Sequence, residues 1–243
     1  MIISNHVLQL LKEIAVLFPV FLLVFTFRGF MQACVANLMG DSTAKEEGFL
    51  TLNPLAHVEL FGLTAMMAIF FFFGSLLRDT IPGSMLLILL IILGVRWTHP
   101  VPIEESNFKN YRLGGIMTAL SGLFGDIIIA FISVLTIRIL LIAQIPRYAL
   151  VSLLEILRTI IDISLFIGVL NLIPLPPFDG GKLLHYVLPQ SQQYIVNWLE
   201  KYAFFIFVGV LLVPGISDFF LGGVSTITAI IKKALFTMNG LAP

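Results

Sequence analysis

The 243-residue chain is 58% hydrophobic and only 12% charged, with mean hydropathy +1.03. A soluble globular domain carries charge on about a quarter of its residues, so that class is excluded. A formal net charge of +0 leaves no basic footprint for nucleic acid, and the single cysteine, Cys34, excludes an intramolecular disulfide.

The apolar segments follow one another along the chain, each judged against the roughly 20 residues that cross a bilayer. The N-terminus lacks the basic start and small-residue cleavage site of a signal peptide, so the first segment is expected to be retained. It runs from about Leu11 to Met39 and holds Arg28 and Gln32 in its second half. The second runs from Leu60 to Leu77 and is rich in phenylalanine at Phe70 to Phe73. Ile81 to Val95 is shorter, a short span or a re-entrant element. Arg96-Trp97 before His99-Pro100 reads as an interfacial anchor. The fourth segment covers Leu113 to Ile145 and the fifth Tyr148 to Leu172. A sixth starts near Tyr194, and Val213-Pro214-Gly215 breaks it before a weaker stretch to Phe236. No strand signal or repeat stands out. The fold class expected is an all-α polytopic membrane protein, one domain over residues 1–243.

The stretch from Asn171 to Gly181, Asn-Leu-Ile-Pro-Leu-Pro-Pro-Phe-Asp-Gly-Gly, ends the fifth segment with backbone breakers, an acid and a glycine pair. Pro174, Pro176 and Pro177 stop helical hydrogen bonding, and Gly180 and Gly181 allow close backbone approach. Asp179 is thereby set at the edge of hydrocarbon, where an ionisable group is costly and a functional candidate by default.

This stretch resembles the asparagine–proline–aspartate–glycine motif of site-2 proteases, the intramembrane zinc metalloproteases, in which the aspartate is a zinc ligand. Asn171, Pro174, Asp179 and Gly180 are the matching residues. Gly40-Asp41, Thr43-Ala44-Lys45, Gly48 and Leu50 to His57 are similar to the loop after that family's first catalytic helix, and Pro100-Val101-Pro102 to a later loop. Ser121-Gly122 sits where the family has alanine-glycine-proline. The resemblance covers about residues 20–190 and implies a site-2 protease-like helical core, with extra C-terminal helices at about 194–236.

The chain departs from the family where the chemistry belongs. Counting back from Gly40-Asp41, the zinc motif H-E-x-x-H falls on Arg28-Gly29-Phe30-Met31-Gln32. Two histidines a turn apart would offer nitrogen ligands on one face, and the glutamate would act as general base. Arginine has no acceptor, and glycine has no side chain to take a proton. Leu123 and Asp126 replace the family's later proline and asparagine. If the fold is kept, Arg28 and Asp179 approach the former metal site from two helices. The expectation is that the guanidinium replaces the metal's charge and pairs with Asp179, with Gln32 and Asp126 completing the hydrogen bonding. Snorkelling of Arg28 to the interface is the plainer alternative.

Glu155, Arg158 and Asp162 share one helical face, either a polar path or a local salt-bridge ladder that takes in Arg138. His57 and Glu59 with Asp179 form an imaginable rebuilt metal site; His57 is otherwise structural. Basic residues orient the spans. Alternation puts Lys45, Arg96, Lys109, Arg112, Lys182, Lys232 and Lys233 inside and Arg78 and Arg147 outside. The former site then faces the cytoplasm, in an inner (plasma) membrane.

The function expected is a pseudoprotease, surrounded by membrane lipid, that binds a transmembrane helix or partner protein without cutting it. Gly29 would permit close helix approach. No peptidase activity and no cofactor are expected, with zinc only if the site is rebuilt. The alternatives are an active intramembrane metalloprotease with such a rebuilt site, and a transport or channel component using the Glu155–Asp162 face.

Overall fold

A bilayer offers no partner to backbone N–H and C=O groups, so long apolar runs satisfy them internally as helices. The computed structural model describes residues 2–59, 62, 64, 99–143, 146–176, 178–213 and 215–241. Within these, α1 spans Ile2–Met39, α2 Thr43–Glu46, α3 Pro54–His57, α4 Tyr111–Ile142 and α5 Arg147–Leu170. They are followed by α6, Asp179–Val187, α7, Gln193–Leu212, and α8, Ile216–Met238, with short 3-10 turns at Glu105–Asn107 and Gln190–Gln192. The segments expected at 60–77 and 81–95, with Arg78 and the Arg96-Trp97 anchor, lie outside the described residues. Among the described residues the chain is helical, and Ala15–Met39, Tyr111–Ile142 and Ile216–Met238 are long and apolar enough to cross a membrane. This is an integral membrane protein.

The sequence explains where the helices start and stop. Asn110 caps α4, its side chain accepting from Leu113 N–H at 3.0 Å, and Asn53 caps α3 by accepting from Leu55 N–H at 3.1 Å. Gly215 takes a φ of +85° between α7 and α8, a backbone state that suits glycine. The break expected near Val213 to Gly215 therefore separates two helices.

Helices α1, α4 and α5 pack pairwise as the centre of the molecule, with α6 against α4 and α8 against α5. Val20, Phe21 and Val24 of α1 meet Ile160, Ile163 and Ile167 of α5 in the main core, which extends to Phe178, Phe207 and Val224. Two backbone hydrogen bonds tie the connecting region between α1 and α4 together. Lys109 N–H donates to Met39 O at 3.0 Å, and His99 N–H donates to His57 O at 2.9 Å.

Asp41 is the knot of this loop region. Its carboxylate accepts from Thr43 N–H at 3.1 Å and the Thr43 hydroxyl, from Glu104 N–H at 2.9 Å and from Asn107 Nδ2 at 3.1 Å. Burial works against its charge, but these donors win and hold its pKa below the ordinary carboxylate value.

The second core joins Ala130, Val134 and Ile137 of α4, Ile161 and Leu165 of α5, and Leu235 and Phe236 of α8. The end of α8 thus lies beside the far half of α4, away from the loop at 40–57. This corrects the alternation argued from sequence, which put Lys232 and Lys233 on the same side as Lys45.

Close packing relies on particular glycines. A Cβ at Gly115 would overlap the Tyr186 ring, whereas one at Gly222 of α8 meets nothing within 4 Å. Gly115→Ala should therefore cost roughly 1–3 kcal/mol by overpacking, while Gly222→Ala costs nothing measurable. Thermal unfolding of the two detergent-solubilised variants checks the contrast.

Candidate functional site

Three elements converge on one buried guanidinium. Arg28 projects from the second half of α1, Asp126 from the middle of α4, and Asp179 opens α6 directly after the proline-rich turn. All three are buried. Arg28 Nη1 donates to Asp126 Oδ2, and Nη2 donates to Asp179 Oδ2, so one side chain ties both carboxylates.

Asp179 collects further donors. Gln32 Nε2, one turn beyond Arg28, donates to Oδ2 at 3.1 Å, and Lys182 Nζ donates to Oδ1 at 3.1 Å. Asp126 Oδ1 is left without a partner among the described residues.

The surrounding glycines make room for these groups. A Cβ at Gly122 would sit 2.7 Å from Arg28 Cζ, and one at Gly168 3.1 Å from Asp126 Oδ2. Larger residues there would push into the ion pair. Gly180 and Gly181 lie on the backbone of residues 172–176, where any side chain would collide with Ile173 O or Pro176 N. Asn171 anchors the same turn: its Nδ2 donates to Ile167 O at 2.8 Å, and its carbonyl accepts from Gly180 N–H at 2.7 Å. Pro174 is exposed on the turn. The turn residues thus act by holding Asp179 in place.

His57 lies beside this cluster. It is 1% exposed, and its Nε2 is 2.9 Å from Thr51 O, to which it donates in the tautomer that carries the proton there. Its Nδ1 has no partner among the described residues and faces Gly29, where a Cβ would overlap the imidazole. The room at Gly29 is therefore taken by the chain's own His57, which corrects the expectation that Gly29 admits a foreign helix. Burial, the largest influence, pushes the His57 pKa below its ordinary 6.5 against the Thr51 hydrogen bond, and nearby His99 lowers it further.

Several neighbours carried no strong sequence signal. Tyr186 donates its hydroxyl to Glu105 Oε1 at 2.6 Å and locks α6 onto the entry of α4. Burial and the adjacent Glu105 push its pKa well above the ordinary phenol value. Lys182 follows Asp179 at i+3 on a short helix, a spacing that could have flagged it. Gln32, Thr118, Asp179, Lys182 and Tyr186 border a small recess of about 20 Å³.

The donor set does not suit a zinc ion. The oxygens that would face a cation already hold a guanidinium, which has no lone pair to give. Among the described residues no group of three or more His, Cys, Asp and Glu side chains is placed to hold a metal. Nor are His57 and Glu59 assembled with Asp179: His57 is turned to Thr51, and Glu59 is exposed.

On the other polar face, the local salt-bridge ladder expected among Arg138, Glu155, Arg158 and Asp162 does not form among the described residues. Glu155, Arg158 and Asp162 are exposed along α5. Asp162 pairs with Lys232 of α8, while Glu155, Arg158 and Arg138 make no ion pair among the described residues.

Comparison with known proteins agrees with the motif reading. Residues 14–214 match the model of peptidase family M50. The protein "Putative zinc metalloprotease YwhC" of Bacillus subtilis (strain 168) is 28% identical over 192 residues, covering 78% of this chain and 77% of its own length. No solved structure matches.

Two outcomes follow from this geometry. Asp179→Ala leaves Arg28 Nη2, Gln32 and Lys182 without their shared acceptor, with Asp126 the remaining counter-charge of Arg28, and should cost about 3 kcal/mol, whereas an Arg28→Met, Asp126→Leu, Asp179→Leu triple variant should lose much less. Denaturant unfolding of each variant in the same detergent measures this. The second outcome concerns pH. Because the folded His57 pKa lies below 6.5, the unfolded chain binds the proton more readily, so stability falls as pH drops below about 6.5. Melting temperatures across that window should show a shallower fall in His57→Gln.

Proposed function

The chain belongs to peptidase family M50, and we propose that it is a catalytically inactive member, a pseudoprotease that holds a transmembrane helix or partner protein without cleaving it. One observation carries this reading. Arg28 occupies, between Asp126 and Asp179, the position where the site-2 protease resemblance places a metal ion.

The physical argument is substitution of one cation by another. A metal between helices contributes a positive charge that neutralises carboxylates and fixes their spacing. A guanidinium supplies the same charge and a forked donor set. It cannot accept electron density, lower the pKa of a bound water or polarise a carbonyl as a Lewis acid does. With glycine at position 29, no side chain there takes a proton from water. The scaffold is retained while the reactive groups are replaced. The role most compatible with such a replacement is recognition of a membrane helix, the substrate class that the resemblance implies.

We place the protein in a cell's inner (plasma) membrane, with the Arg28 cluster toward the cytoplasm. The resemblance supports that orientation. The basic residues no longer add to it, since Lys232 and Lys233 lie toward the end away from Lys45 and Lys182.

Metal content of the purified, detergent-solubilised protein tests the proposal. Negligible zinc, unchanged in Asp179→Ala, is the expected result. Stoichiometric zinc that is lost in Asp179→Ala, or turnover of a membrane substrate that depends on Asp179, overturns it.

A further inference from the structure

The outer face of α4 changes character at both ends. Every exposed residue between Arg112 and Arg138 is apolar, from Leu113 through Phe124 and Ile128 to Leu135, while both arginines are themselves exposed. From one arginine to the other the helix axis rises about 39 Å, against about 30 Å for a hydrocarbon layer and about 40–45 Å for a whole bilayer. The two charges are spaced as the two headgroup layers are.

Other elements reach the same two heights. Gly168 of α5 lies against Asp126 of α4, and the second core sets Ile161 and Leu165 beside Ala130 and Val134, so the two helices run antiparallel. Following both from that contact brings Glu155 and Arg158 within one turn of Arg138 in height. Helix α8 stops at Met238, just past the Leu235 and Phe236 that share this core with Ile137. At the opposite end, Tyr111 meets Tyr186 of α6 edge-on at 5.5 Å. Gln193 Nε2 donates to His185 O and Leu188 O, which brings the start of α7 there too. Tyr194 and Trp198 follow within two turns, both exposed.

The pairing of charges follows the same division. Arg28, Asp126, Asp179 and Asp162 lie between the two heights, and all are in ion pairs, as a poorly polar medium demands. Arg138, Glu155 and Arg158 stand at the far height, exposed and without an ion pair among the described residues. Lys233 of α8 is exposed less than two turns inside it, within reach of its own flexible stem. A polar path would continue down the helices, whereas these unpaired groups gather at one height on α4 and α5. A planar medium imposes that arrangement. Tyrosine and tryptophan at the other height, each with an apolar ring and a polar tip, suit a membrane–water boundary.

We propose that Arg138, Glu155 and Arg158 sit among the phospholipid headgroups of one leaflet, and Tyr111, Arg112, Tyr194 and Trp198 among those of the other. The guanidinium groups meet lipid phosphates, and Glu155 meets the headgroup cations. The assignment does not depend on the function proposed for the Arg28 cluster.

Depth-dependent fluorescence quenching tests this on the full chain, in phosphatidylcholine vesicles with a nitroxide near the headgroup or near the end of the acyl chain. The chain has two tryptophans, so Trp97→Phe leaves Trp198 alone. Its emission should be quenched about twofold more by the shallow label than by the deep one. With both tryptophans changed to phenylalanine, Ile139→Trp should behave likewise, and Phe124→Trp, at mid-height, should show the reverse. Positions 124 and 139 are exposed, so neither substitution enters the core. Stronger quenching of Ile139→Trp by the deep label overturns the proposal, since Arg138 would then lie in hydrocarbon and need a protein neighbour. Quenching of Ile139→Trp by aqueous acrylamide and by neither lipid label overturns it as well. The same two outcomes for Trp198, read also as the signal that Trp198→Phe removes from the native protein, overturn the assignment of the near boundary.

Discussion

The guanidinium of Arg28, held by carboxylates from two other elements, is the interaction on which the arrangement of α1, α4 and α6 depends. Inside a membrane protein a lone charge is expensive, and two carboxylates facing each other are worse. With Lys182 included, the cluster has two positive and two negative groups, so its formal charge sums to zero. Neutrality alone would not suffice; the groups must also touch. Gly122 beside the guanidinium and Gly168 beside Asp126 let the helices come close enough for direct bonds. The charges and the glycines thus specify one another, because widening the spacing would leave the ions unpaired in a poorly polar medium.

The same constraint explains why the turn before α6 is built so tightly. Asp179 must enter the cluster at the first residue of a helix, directly after chain that cannot be helical. Asn171 closes the end of α5 with its side chain and receives Gly180 N–H on its carbonyl. The two glycines then lie flat on the preceding backbone. On the opposite wall, Asp41 joins the exit of α1 to the entry of α4, which sets the level at which Arg28 meets Asp126. Loops with little apolar surface therefore carry much of the positional information for the buried site.

Much of this was legible in the sequence because its signals are local. A run such as Leu113 to Ile145 has one way to satisfy its backbone in lipid, and helix α4 follows it within a few residues. Arg28, Gln32, Asp126 and Asp179 could be nominated together because the site-2 protease resemblance puts their positions at one site, and Asp179 stood out besides as an ionisable group at the edge of an apolar run. What was not legible depends on packing between distant segments. Nothing in the spacing of Gly29 says that His57 fills its space. The identity of the Asp162 partner depends on the direction of α8, which an up-down count reversed. Tyr186 reads as an ordinary helix residue until Gly115 is seen beneath its ring.

The relation of Gly29 to His57 bears on the pseudoprotease proposal. A glycine at position 29 with nothing beside it would leave a gap next to α1, and a gap in a packed interior forfeits its contacts. Instead the imidazole lies in that space, fixed through Nε2 to the Thr51 carbonyl. A side chain returned to position 29 would have to displace His57, and with it the loop that carries Thr51. A histidine returned to position 28 would leave Asp126 and Asp179 without their shared cation. Each replacement is therefore supported by a neighbour that the reverse change would disturb. The arrangement is a self-consistent packing in which a guanidinium supplies the positive charge between Asp126 and Asp179, and His57 fills the space beside Gly29.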